Sequence, residues 1–113
     1  MFSDCTSLNH APELPVINLT KNCYCYMFRH CISLTQAPLL PATILAEYCY
    51  YQMFNGCTNL SGINVNFSEW SPTNATTNWL NNTNTLGTFT CPVDLPETRG
   101  TSYIPSGWTI VRK

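Results

Sequence analysis

Seven cysteines are the residues of this chain best suited to chemistry: a thiolate beside a base is a nucleophile, grouped thiols hold a metal, and paired thiols form disulfides. Cys5, Cys31 and Cys57 follow one another at intervals of 26 residues, and Cys23 and Cys49 share that interval, while Cys25 and Cys91 stand outside both series. In-register side chains on stacked strands run parallel about 4.8 Å apart and do not converge to the ~3.8 Å between Cβ atoms that a disulfide needs. Packed helices stand about 8–10 Å apart, beyond the ~7 Å Cα limit. Buried free thiols acting as small hydrophobes are therefore expected. Cys23-x-Cys25 would place its thiols about 200° apart on a helix, which does not chelate one ion, and no second Cys or Cys/His pair has zinc spacing. His30 adjoins Cys31, but adjacent side chains diverge, so no base is held against that thiol. His10 and His30 read as solvated surface residues. Glu13, Glu47 and Glu69 show no pairing suited to glycoside hydrolysis, and no phosphate-cradling glycine loop or Gly-x-Ser-x-Gly elbow is present. The reading is non-enzymatic, with no catalytic residue, no metal and no cofactor.

Aromatic residues are the remaining candidates, because their rings stack on sugars and peptides. Tyr24, Tyr26, Tyr48, Tyr50 and Tyr51 lie close together in the chain. Tyr24 and Tyr50 share an apolar column and read as core. Tyr48 and Tyr51 fall off that stripe and read as solvent-facing. Trp70 lies outside every column and is the best single ligand contact. Trp70, Tyr48 and Tyr51 are the candidate binding residues. Asn18, Asn59, Asn66, Asn74 and Asn81 each begin an Asn-x-Ser/Thr triplet, which so Asn- and Thr-rich a composition generates by itself.

The elements that must position these residues come from a repeat. Met1-Phe2-Ser3-Asp4-Cys5-Thr6-Ser7-Leu8 recurs as Met27-Phe28-Arg29-His30-Cys31-Ile32-Ser33-Leu34 and as Met53-Phe54-Asn55-Gly56-Cys57-Thr58-Asn59-Leu60. Residues 1–26 and 27–52 share 12 identities, Pro15/Pro41 among them, and Trp79 to Leu86 is a decayed fourth copy. A 26-residue unit is too short to bury its own core, so neighbouring copies must cover it. Leu34-x-x-Ala37-x-Leu39, echoed by Leu60-x-x-Ile63-x-Val65 and more loosely by Leu8-x-x-Ala11, predicts a short parallel strand. Leu45, Cys49, Tyr50, Met53 and Phe54, repeated at Leu19, Cys23, Tyr24, Met27 and Phe28, predict a short helix with Gly56 as its left-handed stop. Pro38 and Pro41 belong to the turn leaving the strand. The predicted fold is an α/β solenoid: a leucine-rich-repeat-like right-handed coil with one strand and one helix per repeat, and a C-terminal β cap. The repeat core comprises Phe2, Cys5, Leu8, Leu19, Cys23, Phe28, Cys31, Leu34, Leu45, Cys49, Phe54, Cys57 and Leu60.

Composition limits the rest. The 113 residues suffice for one small domain; 10% are charged, and the net charge is -1. Nucleic acid is therefore not an expected partner, since there is no basic stripe to displace counterions. No apolar run approaches the ~20 residues that span a bilayer, so no membrane insertion is expected within this chain. Seventeen of the 30 residues at 61–90 are Ser, Thr or Asn, which reads as a polar loop or an enlarged last coil. The repeats are set at 1–26, 27–52, 53–78 and, degenerate, 79–90, with 91–113 as the cap. Tyr103 to Val111 reads as its terminal strand after a Pro-x-Gly turn. Met1 sits in the Met column without a polar cap before it, so the chain is expected to be a piece of a longer protein or to self-associate through this end.

The words Met-Phe-x-x-Cys-x-x-Leu, Ala37-Pro-x-Leu-Pro-Ala-Thr43 and Leu45-Ala-x-x-Cys-Tyr50, with the ending Ile104-Pro-Ser-Gly-Trp-Thr-Ile-Val, resemble the BspA-like leucine-rich repeats of bacterial surface proteins. The resemblance is close over 1–60, weak at 79–86, good at 104–111 and absent over 61–78. It implies an extracellular or cell-surface, non-enzymatic module that binds a host protein or glycan. The other expectation is a structural spacer or assembly segment of a larger surface protein. The resemblance names no ligand, because repeat folds host many functions.

Overall fold

The computed structural model describes residues 2–14, 18–72 and 74–113; the expectations for Met1 and Pro15 lie outside them. Successive passes of the chain stack in parallel, but the described residues contain no helix. The expected α/β arrangement with a helix per repeat is therefore incorrect. The only strands among the described residues are β1 (Gly62–Asn64), β2 (Thr88–Cys91) and β3 (Thr109–Arg112).

A ribbon of consecutive turns takes the helix's place over residues 20–31, 46–57 and 74–82. In the first, the N–H groups of Cys23, Cys25, Met27, Arg29 and Cys31 donate to carbonyls three residues back, those of Thr20, Asn22, Tyr24, Tyr26 and Phe28. The alternate N–H groups point out of the ribbon. Asn22, Tyr24, Tyr26, Phe28 and His30 donate to Glu47, Cys49, Tyr51, Met53 and Asn55 of the next pass. Tyr50, Gln52, Phe54 and Gly56 donate in the same way to Ala75, Thr77, Trp79 and Asn81. An α-helix would turn every such N–H back onto residue i−4 and leave none for a neighbour. Every fourth residue of the ribbon is left-handed: Asn22, Tyr26 and His30, then Tyr48, Gln52 and Gly56, then Asn78 and Asn82, all with φ between 49° and 81°. Gly56 thus has the predicted left-handed backbone, but it closes a turn, as Asp4, His30 and Asn82 do in the same column.

Burial follows this period of four. Leu45, Cys49, Tyr50, Met53, Phe54 and Cys57 are buried, and the residues between the pairs face outward. Side chains four apart on a helix drift by about 40° per step, so Leu45 and Cys57 would diverge by about 120°. The ribbon has no drift and keeps them on one side.

Two aromatic columns run through the core. Phe2, Phe28 and Phe54 stack with successive centroids 5.6 Å apart and planes within 6°. Tyr24, Tyr50 and Trp79 form the second, at 6.2 and 5.9 Å. Such offset stacks add about 0.5–1.5 kcal/mol per pair to the area they bury.

The opposite wall is the sheet, in the order β1-β2-β3, all parallel. Ile63, Val65 and Phe67 point inward and are buried, while Asn64 and Asn66 alternate outward. The Asn-rich stretch beginning at residue 61 therefore starts as a sheet strand and runs into the core through Phe67. The pass before it joins by bridges from Gln36 to Gly62 and from Leu40 to Val65. That is four residues against three, so the strand bulges at Pro38, which has no N–H to offer. Leu39, expected inside, consequently turns out to 48% exposure, and Leu40 is buried in its place.

The last pass is shorter. Gly62 pairs with Thr88, 26 residues on, but Thr88 pairs with Thr109, only 21 on. The tail closes the stack as a strand, with β3 outermost. Its two terminal cations turn back over the stack: Arg112 donates to the Pro92 carbonyl at 3.1 Å, and Lys113 reaches the side-chain oxygens of Asn64 and Asn66. Trp108 is buried and donates from Nε1 to the Asn84 carbonyl at 2.8 Å. Its indole occupies the space that a Cβ on Gly87 would need, at 2.5 Å.

Candidate functional site

The four buried thiols, Cys31, Cys49, Cys57 and Cys91, are held in a way that suppresses their chemistry. All seven are free. Cys31 and Cys57 are buried, and each donates its S–H to the backbone of the pass before it, Cys31 to Phe2 and Cys57 to Phe28, both at 2.9 Å. Burial pushes Cys49 up to about 11 and Cys57 up to about 12, and raises Cys31, Cys91 and Cys25 above the ordinary thiol value. An activated nucleophile needs the opposite shift. His30 does not meet Cys31; its Nδ1 lies 3.0 Å from Asp4 Oδ1 at the surface. Glu47 lies 4.0 Å from Lys21. Among the described residues, no group of three or more His, Cys, Asp or Glu side chains could hold a metal ion.

Of the core expected from the repeat, Phe28, Cys31, Leu34, Leu45, Cys49, Phe54, Cys57 and Leu60 are buried. Phe2, Cys5, Leu8 and Leu19 are half-buried against them. Cys23 is exposed, unlike Cys49 in the same column, because the described residues put no pass over the ribbon at that point.

The candidate binding residues separate. Trp70 is packed rather than presented. Its ring meets Trp79, Phe67 and Tyr103 edge-on at 5.2–6.1 Å, and Nε1 donates to the Pro96 carbonyl at 2.9 Å. Tyr48 and Tyr51 come together on the outer face of the ribbon with ring centroids 5.5 Å apart and planes at 74°. Tyr26, from the preceding pass, closes on Tyr51 at 5.4 Å and 85°. The Arg29 guanidinium carbon stands 5.5 Å from the Tyr26 ring centre. The three tyrosines, with Lys21, Asn22 and Cys25, line an open cleft of about 450 Å³. Burial and the neighbouring Tyr51 raise the Tyr26 phenol above its ordinary value, so it remains a neutral donor and acceptor.

Tyr26 and Tyr48 have φ of 61° and 56°. A bulky side chain is disfavoured in the left-handed region by about 1–2 kcal/mol, whereas Asn, found at 22, 78 and 82, tolerates it. Tyr26, exposed, and Tyr48, half-buried, are therefore kept where the backbone opposes them. The period of four carried the signal that identifies Tyr26 as their partner: it lies four residues after Asn22 and four before His30.

No family model, curated protein or solved structure matches the chain. A second cleft of about 390 Å³ lies between the first two passes, walled by Ala11, Glu13, Leu14, Pro38, Leu39 and Pro41. No helix among the described residues is long and apolar enough to cross a membrane.

Proposed function

We propose that this chain is a non-catalytic binding module of a cell-surface or extracellular protein, similar to the BspA-like repeats, and that the tyrosine cleft is its contact with a protein or glycan. The observation that carries the reading is the pair Tyr26 and Tyr48, held left-handed at the surface beside Tyr51. Backbone strain retained in an exposed cluster points to selection for what the side chains contact. The rings offer faces and edges for stacking, and neutral hydroxyls with Asn22 offer hydrogen bonds, a combination suited to a polar ligand with apolar faces. The buried, unreactive thiols support a role without covalent chemistry. Screening immobilised glycans and matrix proteins with the wild type and a Tyr48→Ala/Tyr51→Ala double variant tests the reading. Retention by the wild type that the variant loses, with unchanged melting, is the expected result. Equal retention by both overturns it.

A second reading, a spacer or assembly segment, draws support from the uncovered ribbon face over Lys21 to Cys25. A spacer gives no retention in that screen.

A further inference from the structure

We infer that the uncovered ribbon face at Lys21, Cys23 and Cys25 is a docking surface for one more coil of the same 26-residue repeat. In the next pass the carbonyls of the matching columns, Glu47, Cys49 and Tyr51, accept from Asn22, Tyr24 and Tyr26. The carbonyls of Lys21, Cys23 and Cys25 accept no hydrogen bond from any described residue. Phe2 and Asp4 already cover Met27 and Arg29, so the open stretch begins where that cover stops. Side-chain burial changes at the same place. Cys49 and Tyr50 are wholly buried, whereas Cys23 is exposed and Tyr24 half-exposed.

The occupant is specified by polarity and spacing. The face presents acceptors at alternate residues, so its partner must present N–H donors at alternate residues, with a small side chain over Cys23 and a flat ring over Tyr24. The repeat's own ribbon provides all three. A second copy of this chain does not. Face to face, two copies set acceptor against acceptor. Head to tail, the far end is the shortened last pass, which does not repeat the ribbon: its Thr98, Gly100, Tyr103 and Ile104 N–H groups bond within the pass, to Pro96, Ile104, Gly100 and Thr98.

The test places a copy of residues 27–52 directly before Met1. The junction Gln52-Met1 reproduces the natural Gln52-Met53, and Tyr48, Tyr50 and Gln52 of the added coil then face Lys21, Cys23 and Cys25. Alkylation of Cys23 is expected to slow at least tenfold, and the melting temperature to rise. A single glycine between Gln52 and Met1 exchanges the N–H groups that face the surface and is expected to abolish the protection. Cys23→Arg is expected to leave the melting of the unextended chain unchanged and to remove the gain in the extended one. As a second arm, the free peptide 27–52 added to the full unextended chain is expected to slow Cys23 alkylation saturably. Unchanged Cys23 reactivity in both arms, or a dimer of the unextended chain with Cys23 protected, overturns the proposal.

Discussion

The Cys57 thiol donates to the Phe28 carbonyl of the preceding pass at 2.9 Å, while the Phe54 ring, three residues before Cys57, stacks on the Phe28 ring at 5.6 Å. One residue of each pass thus receives a hydrogen bond and a ring from the next, and Phe2 receives the same pair from Cys31 and Phe28. Cys57→Ala removes one of the two donors to that carbonyl, leaving the Cys31 N–H, and also removes the packed sulfur, at a cost of about 1–2 kcal/mol. Urea unfolding of Cys57→Ala beside Cys57→Ser, which keeps a donor, measures it. The serine variant is expected to recover part of the loss; equal stability of all three proteins contradicts the role of the bond.

Alkaline unfolding follows from the same thiols. Burial holds Cys49 and Cys57 at about 11 and about 12, above the ordinary thiol value of 9.0. A group whose folded value is raised contributes its stability fully below the unfolded value and loses it as pH rises to the folded one. Stability is therefore expected to be level below about pH 9 and to fall between about pH 9 and 12, by up to about 1.4 kcal/mol per pH unit for each thiol. Melting temperatures across that range check this. In the native protein at pH 8, iodoacetamide is expected to label exposed Cys23 well before Cys49 or Cys57.

Tyr50 is wholly buried between Tyr24 and Trp79, and its hydroxyl has no hydrogen-bond partner among the described residues. A buried hydroxyl without a partner costs about 1–3 kcal/mol. Tyr50→Phe keeps the stacked ring and removes the oxygen, so it is expected to be neutral or to stabilise by about 1 kcal/mol. A loss above that size in urea unfolding would show that the hydroxyl is satisfied.

At Tyr26 and Tyr48 stability and binding are expected to part. Asn in place of either tyrosine relieves the left-handed backbone, and each substitution is expected to stabilise by about 0.5–1 kcal/mol. Both are also expected to weaken retention on whatever ligand the wild type binds. Thermal melts paired with the retention assay decide the matter. Stabilisation without loss of retention would leave the strain unexplained by binding.

Gly56 has φ of 81°, and a Cβ there would run into the His30 imidazole of the preceding pass. Gly56→Ala is expected to destabilise by about 1–2 kcal/mol through both effects. Adding His30→Ala removes the collision but not the backbone penalty, so a double-mutant cycle is expected to recover only part of the loss. Full recovery would place the whole effect in the collision.

The sequence carried more of the stacking than of the local structure. The 26-residue interval put Phe2, Phe28 and Phe54 in one column, and they stack. It misled at the ribbon, where steps of four and five were read as a helical face. The distinguishing sign lay in Leu45, Cys49, Met53 and Cys57, four apart without the slip to three that a helix of 3.6 residues per turn requires over that length. A second sign was the column Asp4, His30, Gly56 and Asn82, residue types that tolerate or favour the left-handed region; Gly56 alone was read that way, and His30 only as a surface residue. Leu39 and Leu40 exchanged sides because one bulge at Pro38 shifts the alternation, and the following strand shows no such bulge to compare. For the site, Tyr48 and Tyr51 were legible as off-stripe residues. Trp70 was misjudged because its contacts with Tyr103 and Pro96 come from a tail that lies outside the repeat.

Because the ribbon N–H groups reach only the adjoining pass, the ribbon side of each rung is held by its neighbours alone. Thermal wear should begin at the outermost rung and move inward like a thread drawn from a knitted hem, leaving Phe54, Trp79 and Phe89 as the last knot to loosen.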